Sequence, residues 1–556
     1  MVQGAIENAT GFVAFALESI SGTPEAAPQT DPNGYIILRG DMAPVSKKPA
    51  NFKDIAGYVF PTLPMAGGEE FEVPVPMFPI LAGNGLGPLL AAALGDDTKS
   101  DLVALHVYQH LITWESLIKT FTFFCHYGTN DDDQIKMCAV DSITINSKSS
   151  DNSLEIDMAV KGASMEHLTN GAVASDQFID PDSASQLSHS GLLVEIGQPG
   201  AAGRDVVEDL SLDMKRNLIF GCLGKPGQHP AGSSSHRVVN SANSNLDLKI
   251  SMVDTDREEI NRAMYPVNTD PSAQTRWSDV MRYIKARLSW YGAAIYAGIN
   301  GEADYLNAGT IAGTFAGTYS GGDTVTVGEI EMSDSDIYET ALGENKDLSF
   351  KLLDPAATYE VVTGAGELSV AVVAKAITVT LAAAGSTASA VLAAIIANGD
   401  TTALITPTLA NGSSGAGTIT EAQAEITSAN FKDGFRFRYT TGGAWSAWTN
   451  WIKVTEAAQT LVSGITVTFD DDTKSAAGDI FRFCSHYREM LRITIPVLAY
   501  KDIPRTTFKD GKRMIELDLA HTSADEADRP FITIWNSEGT AFDTRSEEHT
   551  SELQSH

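Results

Sequence analysis

Apolar and polar side chains alternate along several separate stretches of this 556-residue chain, as they do in β-strands that bury one face. A stretch rich in Ser, Asp and Asn at residues 149–153 separates the first two runs, so we predict a hairpin there. Antiparallel sheets with one solvated face leave this signature, and the chain is therefore predicted to be mainly β. The alternating apolar positions are Ile143, Ile145, Leu154, Ile156, Met158, Val160, Leu246, Leu248, Ile250, Met252, Leu491, Ile493, Ile495, Val497, Ile515, Leu517 and Leu519.

Helical patterns are few and short. Residues 87–95 and 257–265 are compatible with short helices, and residues 277–290 with either a helix or a strand. Residues 387–397 give the clearest pattern, with a Ser/Thr cap, one apolar face and a stop at Asn398-Gly399. The predicted apolar face consists of Val391, Leu392, Ile395 and Ile396.

The charge balance limits the possible partners. The chain has 39 basic and 71 acidic residues, a net charge of −32, which disfavours tight binding of nucleic acid or of acidic membranes. The longest apolar runs fall short of the ~20 residues that span a bilayer, so we expect no membrane insertion. The four cysteines show no CxxC spacing, although Cys125 and Cys138 could face each other across a hairpin.

Composition divides the chain into five parts. Between residues 288 and 428 there are 16 acidic and three basic residues, and the residue composition typical of the first half returns near residue 488. We therefore expect one β domain formed by residues 1–290 and 488–542, interrupted by an α+β or β module at 291–428 and a small β-sandwich module, Ig-like in character, at 429–487. Residues 543–556 end in RSEEHTSELQSH, which resembles a translated sequencing adapter, and we expect them to be disordered and exclude them from the fold.

The sequence shows no motif that supports catalysis, metal binding or cofactor binding. His106 and His110 have the spacing of a helical zinc pair, but no third ligand is suggested. Asp131, Asp132 and Asp133 lack the alternate spacing of a calcium loop and are interpreted as an acidic turn. We predict no enzyme activity and no cofactor.

Three tryptophans lie within seven residues beside a Gly-Gly turn. Trp445, Trp448 and Trp451 are either an exposed platform that stacks on sugar rings or large side chains that close a small sandwich core. Core packing is the favoured interpretation. They are kept as candidate contacts for a glycan or another partner.

The order of the segments resembles that of tail tube proteins of long-tailed, non-contractile bacteriophages. The resemblance covers about residues 5–290 and 490–540 and rests on order and texture, not on a diagnostic motif. The segments that carry it are GFVAFALESISGTP, YIILRGD, GLGPLLAAALGD, TWESLIKTFTFFCHYG, AVDSITINSKSSDNSLEIDMAVKGASM, VVEDLSLDMKRNLIFGCLGKPGQHPAGSSSHRVVNSANSNLDLKISM, LRITIPVLAYKDI, DGKRMIELDLAHTS and RPFITIWNSEG.

This resemblance implies a β-sandwich or barrel protomer that forms hexameric rings, stacked into a tube that DNA crosses without specific binding. It implies a virion protein, assembled in the bacterial host cytoplasm together with other tail proteins. The proline-rich residues 41–79 are expected to be an inter-ring arm or a plain surface loop. The expected inter-ring contacts are Lys47, Lys48, Phe52, Asp131, Asp132 and Asp133. The alternative function is that of a tail-tip or adhesion protein whose inserted modules bind host-surface glycans.

Overall fold

A computed structural model places most of the described chain in β-strands, which confirms the mainly-β prediction. The chain divides into two compact units: one consists mainly of residues 1–199, 203–295 and 488–556, and the other mainly of residues 296–487. The structure describes residues 12–18, 36–38, 46–48, 70–75, 86–114, 119–126, 132–162, 164–168, 187–197, 207–216, 218–222, 236–239, 245–253, 284–305, 311–343, 345–473, 475, 478–502, 504–509, 511–521, 528–537 and 539.

In its described residues, unit 1 is built from antiparallel strands and one short helix, α1 (Leu86–Leu94). Strands β16 and β31 extend from it into unit 2. Its strands are β1 (Phe12–Leu17), β2 (Ile36–Leu38), β3 (Ser46–Lys48), β4 (Glu70–Val75), β5 (Gly95–Val103), β6 (Val107–Trp114), β7 (Phe121–His126), β8 (Asp132–Lys148), β9 (Ser153–Gly162), β10 (Ser164–Leu168), β11 (Leu192–Gly197), β12 (Val207–Lys215), β13 (Ile219–Cys222), β14 (His236–Val239), β15 (Asn245–Val253), β16 (Ile284–Ala303), β31 (Ile480–Tyr500), β32 (Arg505–Lys509), β33 (Lys512–His521) and β34 (Phe531–Asn536).

The long strand β8 belongs to two sheets of unit 1. Its first half pairs with β7 and β10, and β7 continues to β1 and β2. Its second half pairs with β9 and β12, which leads through β15 to β33. The hairpin predicted around residues 149–153 is thus confirmed as β8–β9, with the alternating residues from Ile143 to Val160 buried.

The last strands of the chain pair with strands of its first part. Strand β33 pairs with β15 over Met514–Ala520, and β34 pairs with β6 over Phe531–Asn536. Strand β31 pairs with both β33 and β34. Residues 488–536 therefore complete the same β unit that the first 295 residues begin.

The structure decides three local expectations in unit 1. Leu491, Ile493 and Ile495 alternate with polar residues, as predicted for a strand with one solvent-exposed face. Arg492 and Thr494 are nevertheless buried as well, because both faces of β31 are covered here. Cys125 and Cys138 are buried thiols that do not stand opposite each other, since Cys125 pairs with Asp133 and Cys138 with Phe121. The region predicted as helix or strand is strand β16 from Ile284 onward, and residues 257–265 and 277–283 lie outside the described part.

Unit 2 contains the remaining strands and the helix α2 (Ala388–Ala397). Short 3-10 turns occupy Gly399–Thr401 and Ser428–Asn430, and another lies in unit 1 at His189–Gly191. The strands of unit 2 are β17 (Gly313–Gly317), β18 (Val327–Glu339), β19 (Leu348–Leu352), β20 (Thr358–Thr363), β21 (Ser369–Val373), β22 (Ala376–Leu381), β23 (Ser386–Thr387), β24 (Ile405–Leu409), β25 (Thr418–Ile419), β26 (Gln423–Ile426), β27 (Lys432–Thr440), β28 (Ile452–Lys453), β29 (Gln459–Thr460) and β30 (Ile465–Phe469).

The predicted cap and stop of α2 are confirmed. The Thr387 hydroxyl accepts a hydrogen bond from the Ala390 N–H, and Asn398 is the C-cap residue. Val391 and Ile395 are buried, whereas Ile396 is 57% exposed and does not belong to the packed face as predicted. The core reaches only a narrow stripe of this helix.

The described residues of unit 2 form two hydrophobic cores, and their division differs from the predicted boundary between residues 428 and 429. One core lies within residues 348–431 and includes α2 and the parallel pair β20–β22. The other combines residues 435–483 with Ile311, Ile330 and Met332, which come from the predicted first module. Residues of the predicted first module join the second core because β18, which carries Ile330 and Met332, pairs with both β27 and the start of β31.

Candidate functional site: a tryptophan–arginine ladder

Aromatic and basic side chains alternate along β27, so they lie on opposite faces of this strand. Phe435 and Phe437 point into the second core of unit 2 and are buried. Arg436 and Arg438 alternate with them and therefore lie on the opposite, solvent-facing side, about 7 Å apart along the strand. Two like charges at this distance repel each other, and neighbouring carboxylates relieve that repulsion.

Strand β18 supplies those carboxylates. Glu331 stands directly opposite Arg436, and Glu329 directly opposite Arg438. In each pair the arginine Nε and Nη2 both donate to the Oε2 atom, at 2.9 and 2.7 Å for Glu331 and at 3.0 and 2.7 Å for Glu329. These charge-assisted hydrogen bonds hold both guanidinium planes in place.

The tryptophan-bearing segment runs along β27 through hydrogen bonds at every third residue. The N–H of Ser446 donates to the carbonyl of Tyr439 at 2.9 Å, and that of Thr449 to the carbonyl of Phe437 at 3.0 Å. The hydroxyls of Ser446 and Thr449 accept the return bonds from the same two β27 residues. This spacing positions the residue before each contact, a tryptophan, beside the arginine row.

Aromatic rings and cations consequently alternate in one continuous series of contacts, which we call the ladder. Cations stack favourably on the face of an indole ring. In order, the contacts from cation to ring centroid are Arg438 with Trp445 at 4.8 Å, Arg438 with Trp448 at 4.7 Å, Arg436 with Trp448 at 4.9 Å, Arg436 with Trp451 at 4.8 Å, and Lys351 with Trp451 at 4.2 Å.

The ladder is balanced in charge. Lys351, at its inner end, lies 3.4 Å from Asp336, so each of the three cations has a carboxylate. Burial raises the pKa of Asp336 above its ordinary value, and Lys351 opposes that shift. The result is a neutral, aromatic and polar strip on an otherwise acidic protein.

The two ends of the ladder differ. Trp448 and Trp451 each contact two cations, whereas Trp445 contacts one and is 41% exposed. Within the described residues, none of the three indole N–H groups has a hydrogen-bond partner. Trp445 beside the open Gly442-Gly443 turn is therefore the part of the ladder that a ligand can reach.

The structure thus differs from the favoured interpretation of the tryptophans. None of the three belongs to a buried core, and their faces contact cations. Among the other candidates, Phe52 and Asp131 lie outside the described residues. Lys47 and Lys48 lie on β3 and Asp132 and Asp133 on β8, where Asp133 pairs with Cys125 across to β7.

Sequence reasoning missed the partners of the tryptophans: Arg436, Arg438, Glu329, Glu331 and Lys351. The local part of the signal was visible, because an Arg-x-Arg strand precedes a Trp-x-x-Trp-x-x-Trp stretch in the sequence. The glutamates were not recognisable, since they lie more than 100 positions earlier in the chain.

Unit 1 also contains a groove and a hairpin that carries two histidines. A groove of about 550 Å³ lies beside β32 and β33 and carries charges of both signs. His106 lies in the β5–β6 turn, and His110 Nδ1 lies 2.9 Å from Asp97 Oδ2 on the neighbouring strand. The two histidines are therefore on a hairpin and not on one helix face.

Within the described residues, no group of three or more His, Cys, Asp or Glu side chains is arranged to hold a metal ion. Nor does any helix in that part of the chain combine the length and hydrophobicity needed to cross a bilayer. Comparison with models of known protein families and with curated proteins found no match to this chain.

Proposed function

We propose that this chain is a structural virion protein that assembles with copies of itself into stacked rings, forming a phage tail tube through which DNA passes. The observation that carries the proposal is the closure of unit 1. Strands β33 and β34 pair with β15 and β6, so the two segments that resemble a tube protein form one β unit around a long insertion. The protein would reside in the virion tail, with other tail proteins as partners.

The charge of the chain supports passage of DNA without capture. Duplex DNA carries about one charge per 1.7 Å, and a protein with a net charge of −32 repels it. In this proposal the chain acts through its shape and has no catalytic role.

Electron microscopy of the purified full chain at high concentration tests this function. We expect rings of six subunits or stacked tubes, and assembled particles mixed with linear duplex DNA should not retard it on a native gel. A protein that stays monomeric at every concentration, or that binds DNA tightly at physiological salt, contradicts the proposal.

The second candidate function is glycan binding by unit 2, and the exposure of Trp445 favours it. An indole face stacks on the apolar face of a sugar ring, and its N–H donates to a hydroxyl. The ladder offers one reachable ring together with three indole N–H groups that lack partners within the described residues. Its matched charges suit a neutral sugar.

Calorimetric titration of the full chain with cellohexaose, chitohexaose and maltohexaose tests the second function. Binding should disappear in Trp445→Ala and persist in Ile396→Ala, a control that also removes an exposed apolar side chain of unit 2. Equal binding by both variants, or no binding by the parent protein, rules out a sugar site at Trp445.

A further inference from the structure

The β32–β33 hairpin combines basic residues with an exposed aromatic ring. Residues 505–513 contain four basic residues and one acidic residue, in a chain with a net charge of −32. Phe508 is 80% exposed, and Thr506 and Thr507 beside it are also exposed. An aromatic side chain this exposed gains stability when another surface covers it.

The β5–β6 hairpin carries the opposite charge and its own apolar residues. Residues 95–106 contain three aspartates and one lysine; Asp96 and Asp101 are exposed, whereas Asp97 is buried against His110. Leu105 at the turn is 84% exposed and has a φ of 65°, and Leu102 is 36% exposed. A left-handed conformation costs a leucine about 1–2 kcal/mol, so this turn holds an apolar side chain in solvent at a conformational cost.

Both hairpins end in an edge strand. Among the strands that the structure describes, β5 pairs with β6, β32 pairs with β33, and neither has a second neighbour. Each edge therefore presents a row of backbone N–H and C=O groups that can pair with another strand.

The basic hairpin also borders the groove of about 550 Å³ in unit 1. Three lysines and four carboxylates line it together with Met514 and Leu517: Lys148, Lys249, Lys509, Asp209, Asp502, Glu516 and Asp518. Lys509 lies 3.7 Å from Asp209 and 3.8 Å from Glu208, but its side chain is 55% exposed. The groove itself therefore carries balanced charge, and the positive charge of this surface comes from the hairpin, where Lys509 remains half-exposed.

We propose that the β5–β6 hairpin of one copy docks on the β32–β33 hairpin and groove of a second copy. Leu105 and Leu102 would cover Phe508, and Asp101 would approach Lys509. The two surfaces are different and complementary in charge, so the contact is head-to-tail and continues into a ring or a filament. This inference rests on the proposed function, because it names the surface through which the subunits associate.

The first test uses one variant on each surface. Leu105→Asp and Phe508→Asp should each raise the protein concentration needed for assembly by about ten- to a hundredfold, as expected for losing a buried large apolar side chain. Val373→Asp is the control, since Val373 is 71% exposed but lies in unit 2, and it should assemble like the parent chain. All three positions are exposed, and circular dichroism verifies that each variant is folded.

The second test distinguishes a head-to-tail contact from a symmetric one. Leu105→Asp retains an intact basic hairpin and Phe508→Asp an intact acidic one. An equimolar mixture should therefore form dimers in analytical ultracentrifugation but no rings, while each variant alone stays monomeric. Asp101→Lys should weaken assembly, and adding Lys509→Glu on the same chain should restore it.

The outcomes separate the contact from the function. Assembly of both aspartate variants at the parent concentration overturns the docking surface and leaves the tube proposal intact. A mixture that forms no dimers, or a double charge variant that assembles no better than Asp101→Lys, also overturns it. A parent chain that never assembles overturns the contact and the proposed function together.

Discussion

Asn300 donates a hydrogen bond from Nδ2 to the backbone carbonyl oxygen of His486 at 3.0 Å. Asn300 lies on β16 and His486 on β31, the two strands through which the chain enters and leaves unit 2. The two crossing points of the chain are therefore neighbours, as they must be where one unit is inserted between two segments of another.

Removal of unit 2 should therefore leave unit 1 folded. We expect that replacing residues 301–485 with a short Gly/Ser linker preserves the β-type circular dichroism spectrum and the assembled particles, because Asn300 and His486 are already close. Electron microscopy of the shortened chain provides the measurement. An unfolded product would mean that unit 1 depends on the insertion.

The ladder should stabilise unit 2 through its central arginine. Arg436→Ala removes two indole contacts and the paired hydrogen bonds to Glu331, so we expect a loss of about 1–2 kcal/mol in the free energy of unfolding. Urea unfolding monitored by tryptophan fluorescence measures the loss. Lys375→Ala is the control, because solvent screens the ion pair of Lys375 with Asp354 and its removal should cost less stability than the loss of Arg436. Equal effects of the two substitutions would argue against a stabilising ladder.

Close packing around Gly328 provides a second stability test. A Cβ atom at Gly328 would overlap the Phe483 ring, which belongs to the second core of unit 2 and stacks on Phe315. We expect Gly328→Ala to destabilise this unit by about 1–3 kcal/mol in thermal or urea unfolding. Gly443→Ala meets no atom within 4 Å and should leave stability nearly unchanged. Equal stability of the two variants would show that the space at Gly328 admits a methyl group.

Glu339 should make unit 2 sensitive to pH. Burial raises the pKa of this carboxyl above its ordinary value of 4.5, against the opposing hydrogen bond from the Lys453 N–H. The folded state therefore retains a proton that the unfolded chain releases, and this contribution to stability is lost as pH rises from 4.5 through the folded pKa.

Glu339→Gln stays uncharged and keeps the acceptor for Lys453. We expect the variant to match the parent chain at pH 4 and to exceed it in free energy of unfolding at pH 7, as measured by urea unfolding. A variant that is less stable than the parent at pH 7 contradicts this assignment, because the charged form would then be the favoured one.

Local patterns in the sequence were sufficient to predict several strands and the helix α2. The period of two predicted the β8–β9 hairpin, since alternation reports which face of a strand is buried whatever its partner. The cap of α2 at Thr387 was equally local, because it requires only a hydroxyl three residues before the N–H group that donates the hydrogen bond to it.

Tertiary structure alone decided which elements share a core. Ile396 follows the helical pattern but remains exposed, because the width of the buried stripe depends on the strands packed against α2. Ile330 and Met332 belong to the core around Phe435 because β18 pairs with β27. These two strands lie about 100 residues apart in the sequence. The ladder depends on the same pairing, since Glu329 and Glu331 reach the arginines only across that register. Periodicity is a property of neighbouring residues, whereas strand pairing and side-chain contact are selected by the free energy of the whole packed unit.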